Sequence, residues 1–190
     1  MAQGSEPGAR YTQLAQENGW VGLCDPTLNF RAPALRELSQ LWRRQAESAG
    51  HIPRRGDFTP RVLKQCLPHV VKYERVICAQ RGKRYRVRVM GTRFAEHMGD
   101  LTGKFIDEAI AEQFLPRWYA ALDAVLDAGV PLRFLSRADT MNKDFMLGEF
   151  FEAPLMNDNG EINLVLAAGI YSPMHSWNEI LEQERVRAAA

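Results

Sequence analysis

The sequence carries no long apolar run, no paired cysteines and no excess of charge of either sign. A membrane span needs about 18–20 consecutive apolar residues, and no stretch of the 190 residues approaches that. The N-terminal Met1-Ala-Gln-Gly-Ser-Glu-Pro-Gly lacks the apolar segment of a signal peptide. Both features predict a cytoplasmic protein without a membrane partner. The three cysteines, Cys24, Cys66 and Cys78, are odd in number and form no Cys-x-x-Cys pair. That argues against a disulfide framework or structural zinc and predicts reduced thiols. Lys and Arg number 24 against 23 Asp and Glu, so no net field steers the molecule to nucleic acid.

Catalytic signatures are missing as well. There is no Gly-x-Ser-x-Gly, no phosphate loop and no Rossmann fingerprint. The four histidines, His51, His69, His97 and His175, show no metal-ligand spacing. His97 is expected at the surface, at the end of a short helix. Asp107 and Glu108 sit early in a helix, where carboxylates suit the dipole. Glu149 and Glu152 share a strand, but their odd spacing puts them on opposite faces. Neither pair is arranged for acid–base work, so no catalytic residue is assigned.

What is present is ordinary globular usage, 46% hydrophobic and 25% charged, in a chain long enough for one domain. Residues 1–29 have little periodicity and are expected to form a flexible arm. Residues 30–68 are expected to form flanking helices. The first starts at Asn29 with Pro33 in its first turn and ends at Gly50; the second is capped by Thr59 and closed by Leu67-Pro68. Residues 69–173 are the core. Residues 69–79 and 84–90 read as a hairpin, the second strand alternating Tyr85, Val87 and Val89 against Arg84, Arg86 and Arg88. Short helical pieces follow at Thr92–Met98 and Phe105–Ile110, then a longer amphipathic helix from Phe114 to Ala128. Strands at Val130–Thr140, Phe145–Leu155 and Ile162–Ser172 complete the core, joined by the turns Asn142-Lys-Asp and Asn157-Asp-Asn-Gly. Residues 174–190 read as a polar C-terminal helix or tail. This order predicts an α+β fold, a five-stranded antiparallel sheet with helices on one face and a cavity between them.

Scattered residues along this frame resemble the PAS domain, and more narrowly a family of stand-alone PAS proteins of alphaproteobacteria. They are Leu41-Trp42, Ile52-Pro-Arg-Arg-Gly-Asp57, Pro60, Leu67-Pro68, Tyr85-Arg86, Gly91-Thr92 and Leu101-Thr-Gly103. The resemblance runs from about Leu35 to Tyr171. It implies a sensory or interaction module that binds haem, flavin or a metabolite, or binds nothing and dimerises. It also implies output through a partner, such as a histidine kinase, since no output domain is recognised. The flanking helix with Leu35, Leu38 and Trp42 matches the position of a homodimer interface.

No particular cofactor is indicated: no cysteine lies in the flavin-reactive helical run of blue-light receptors, and no histidine fits a haem axial ligand. Candidate ligand-binding residues are the inward aromatic and branched side chains Tyr85, Val87, Phe94, Phe105, Phe134 and Phe150. Arg54, Arg86 and Arg88 are candidates for phosphate, set against a solvated face paired with glutamates. Two other readings stay open, a cone-shaped α+β enzyme like ketosteroid isomerase and a ligand-free interaction domain.

Overall fold

The computed structural model describes residues 7–139, 143–174 and 176–188. Helices run over Ala9–Glu17 (α1), Pro33–Ala49 (α2), Thr92–Met98 (α3), Leu115–Ala128 (α4) and Trp177–Ala188 (α5). Strands run over Gly22–Asp25 (β1), Val70–Cys78 (β2), Gly82–Met90 (β3), Leu132–Ala138 (β4), Lys143–Met156 (β5) and Ile162–Pro173 (β6). They form one sheet in the order β1-β4-β5-β6-β2-β3, antiparallel at every step. The five expected strands are all present and β1 adds a sixth.

β1 overturns the expected arm. Residues 9–17 are helical, and Gly22–Asp25 pair with Arg133–Ser136 at the sheet edge. Tyr11 is 2% exposed and meets the Phe134 ring edge-on at 4.9 Å. The lack of periodicity hid this, because a four-residue edge strand is too short to show a period. The expected second helix is also corrected. Residues 60–66 make only turns, although Leu63 N–H does bond to the Thr59 carbonyl. The turn at Asn142-Lys-Asp falls partly outside the described residues, whereas Asn157 Oδ1 accepts from the N–H groups of Asn159 and Glu161, as the second turn requires.

Strand alternation sorts two cores onto the two faces of the sheet. On the inner face Val71, Tyr73, Tyr85, Val87, Phe134 and Ala167 pack with α1, α3 and α4. On the outer face Val70, Phe151, Ala153, Leu155, Leu164 and Leu166 pack with α2. A bulge opposite Lys72 and Tyr73 makes Arg88 the extra residue of β3. Val89 then pairs with Lys72 instead of following Val87 inward, so the expected strict alternation ends at Val87.

Leu35, Leu38 and Trp42 bury their side chains against the chain's own sheet, at 1%, 0% and 7% exposure. Trp42 Nε1–H donates to the Pro154 carbonyl at 3.0 Å. This corrects the dimer-interface expectation: the apolar stripe of α2 is already covered within the chain. Gly91 is needed for a close backbone approach. Its φ is ordinary, but a Cβ there would lie 2.2 Å from the Leu67 carbonyl oxygen.

Candidate functional site: a cavity on the inner face

Between the inner face of the sheet and α1, α3 and α4 lies a cavity of about 60 Å³. A water needs roughly 10–15 Å³ by the same measure, so the space suits a few waters or a ligand of a few heavy atoms. Three of the expected ligand-binding residues line it: Phe94 from α3, Phe134 from β4 and Phe150 from β5. Two glycines seat the Phe150 ring. A Cβ at Gly148 would come within 2.5 Å of it and one at Gly169 within 2.8 Å.

The other three expected residues lie elsewhere. Tyr85 and Val87 are fully buried core beside the cavity, and the Tyr85 hydroxyl donates to Asp123 on α4. Phe105 is half-buried outside it, with the Arg84 guanidinium 3.7 Å above its ring and that of Arg86 at 4.6 Å. The phosphate candidates are not gathered into one site. Arg54 donates to the Asn157 and Asp158 carbonyls, Arg86 stacks on Phe105, and Arg88 pairs with Glu74 on the neighbouring strand at 3.5 Å. For Arg88 this is the solvated-face arrangement.

The polar groups of the cavity went unrecognised in the sequence. Glu152 sits on β5 between Leu132 and Ala167, on the inner face, while Glu149 points outward. The odd spacing of the two glutamates therefore does separate them. Glu152 is 9% exposed, and its Oε2 has no hydrogen-bond partner among the described residues. Burial alone raises its carboxyl to about 8. Tyr73 and Tyr171 also face the cavity, and burial pushes both phenols well up. Tyr11 joins them from α1. Burial raises its phenol too, with Arg117 opposing and Glu152 adding to the rise. Arg117 itself is paired with Asp139 through both terminal guanidinium nitrogens. His97 is half-buried rather than simply at the surface, its ring 4.1 Å from that of Tyr171. Period-two alternation from Phe150 could have placed Glu152 inward; nothing local could have placed Tyr11.

On the outer face a second polar group ties the termini to the sheet. Arg133 is fully buried and donates to Glu149 at 2.7 Å, to Asp25 at 2.9 Å and to Glu184 of α5. Glu149 also accepts from the backbone N–H groups of Arg31 and Ala32, at 2.8 and 2.9 Å, and so holds the segment that leads into α2 to a distant strand. Burial pushes the Glu184 carboxyl up, but hydrogen bonds from Arg133 and Arg31 more than offset this and hold it below its usual value. No group of three or more His, Cys, Asp or Glu among the described residues could hold a metal ion. No helix among the described residues is long and apolar enough to cross a membrane.

A family model described as PAS domain matches residues 30–171. No curated protein matches the chain. Solved structures that match include an RNA-binding light-oxygen-voltage receptor, at 15% identity and a TM-score of 0.40, over 62% of this chain and 35% of that one. A sensory box histidine kinase/response regulator from Burkholderia thailandensis matches at 17% identity and 0.38, over 68% and 92%. The light-state structure of the blue-light photoreceptor Aureochrome1 LOV matches at 14% identity and 0.36, over 66% and 96%.

Proposed function

Because the chain belongs to the PAS domain family, we propose that it is a sensory module whose input is a small molecule in the inner-face cavity. The observation that carries this reading is the cavity itself, aromatic-walled and holding a buried carboxyl with an unpartnered oxygen. The strands that wall it also hold the outer layer. Phe134 faces the cavity while its neighbour Arg133 grips α5, and Glu152 faces it while its neighbour Phe151 packs on Phe30. A ligand that fits one packing of β4 and β5 better than another would shift the hold on α5 and α2 by population shift. The output would go to a regulatory protein, a histidine kinase for example, meeting α5, where Leu181 and Val186 are exposed.

Ala121 of α4 lines the cavity, so Ala121→Phe should fill it. Native mass spectrometry of the purified full chain should show a small-molecule adduct that this substitution removes. Dissolved xenon should perturb the NMR signals of cavity residues in the parent chain but not in the variant. An adduct that survives the substitution places the ligand elsewhere, and exclusion of xenon and every adduct from the parent chain defeats the reading. A second reading, proton abstraction of the ketosteroid isomerase kind, is favoured only by Glu152, whose raised proton affinity suits a general base. Turnover that Glu152→Gln abolishes would select it.

A further inference from the structure

We infer that the cavity takes a small organic cation, a primary or methylated ammonium, with the Glu152 carboxylate as its counter-ion and the aromatic walls as its cage. The inference rests on the cavity reading above and names the class of ligand.

The first ground is charge. The ionisable groups that line the cavity or stand beside it, Glu152 apart, come from seven elements. Arg117 of α4 is neutralised by Asp139. Tyr11 of α1, Tyr73 of β2 and Tyr171 of β6 are all held neutral by burial. His97 of α3 lies against Tyr171, and Cys24 of β1 lies near Tyr11. Arg137 of β4 is half-buried and its Nε lacks a partner among the described residues. Burial pushes the Glu152 carboxyl up, and its Oε2 has no hydrogen-bond partner among the described residues. That oxygen is therefore unsatisfied, and an N–H donor carrying positive charge supplies what it lacks.

The second ground is the wall. The Trp118 ring stands edge-on to Tyr73 at 6.2 Å, and Phe150 stands edge-on to Tyr171 at 5.7 Å. Aromatic faces around a carboxylate are the setting in which ammonium groups are recognised. The third ground is size, since about 60 Å³ admits a few heavy atoms and excludes flavin or haem without rearrangement.

The test is an NMR titration of the full chain with propylammonium, 1-propanol and acetamide. The alcohol is the neutral match in shape, and acetamide is an acceptor for a protonated carboxyl. At pH 9 propylammonium should bind about tenfold or more tighter than propanol. Glu152→Gln, its fold confirmed by the same spectra, should erase that preference. In the parent chain the affinity should rise by up to about tenfold per pH unit from pH 6 and level off near pH 8, because only the ionised carboxyl holds the cation. Equal binding of amine and alcohol, preference for acetamide, or affinity that falls with rising pH would overturn the inference while leaving the cavity reading standing. If none of the probes and no xenon enters, both fail.

Discussion

Replacing Glu152 with Gln keeps the shape of a buried side chain and removes its titration. In the unfolded chain the carboxyl titrates near 4.5, and in the folded protein burial holds it at about 8. Between those values the folded state keeps a proton that the unfolded state has released. Glu152 therefore costs the parent chain stability as pH rises through that window. The cost is absent below about 4.5, where both states are protonated, and constant above about 8, where both are ionised. Each pH unit is worth about 1.4 kcal/mol, so the whole window amounts to roughly 5 kcal/mol. The variant should match the parent closely at pH 4.5 and exceed it by several kcal/mol at pH 8 and above. Urea unfolding of both proteins from pH 4 to 9 reads the difference directly, because every other titrating group cancels. Parallel stability profiles would mean that Glu152 is hydrated or paired in solution, and the argument from an uncompensated carboxyl would fail with them.

Trp42→Ala should cost about 3–5 kcal/mol through lost burial and the freed Pro154 carbonyl, with no change in oligomeric state by sedimentation; a stable chain that self-associates less would restore the dimer role of α2. Arg133→Met should destabilise by about 3–5 kcal/mol, because Glu149, Asp25 and Glu184 lose their shared partner. It should also make α5 the first site of limited proteolysis, and unchanged protease resistance there would count against the outer-face network as its anchor. Gly148→Ala should cost about 1–3 kcal/mol by overpacking against Phe150, and a crystal structure should show that ring swung out of its seat.

Much of the frame was legible because it rests on local periodicity. The alternation of Tyr85 and Val87 marked β3, the spacing of Leu35, Leu38 and Trp42 marked α2, and the five core strands fell within a few residues of their observed ends. The same patterns were less informative about partners. An apolar stripe shows that a helix face must be covered, without showing by what, and α2 turned out to be covered by the chain's own sheet rather than by a second copy. Aromatic and branched character likewise identified Phe94, Phe134 and Phe150 as inward-facing, but could not separate them from Tyr85 and Val87, which face the same way and serve as core.

Sequence by itself determined the class of the fold, the order of the strands β2 to β6 and the opposite facing of Glu149 and Glu152, because each follows from backbone periods of 2 and 3.6 residues. Only the tertiary structure decided what those residues do. Glu149 finds Arg133, 16 positions away, because β4 pairs with β5, and it finds Arg31 in the segment before α2, 118 positions away, because that segment packs on the outer face. Glu152 Oε2 meets no such partner among the described residues, since the inner layer closes over it with rings. Tyr11 reaches the cavity only because Gly22–Asp25 extend the sheet by one edge strand. These are contacts of high sequence separation, and they leave no trace in any local pattern.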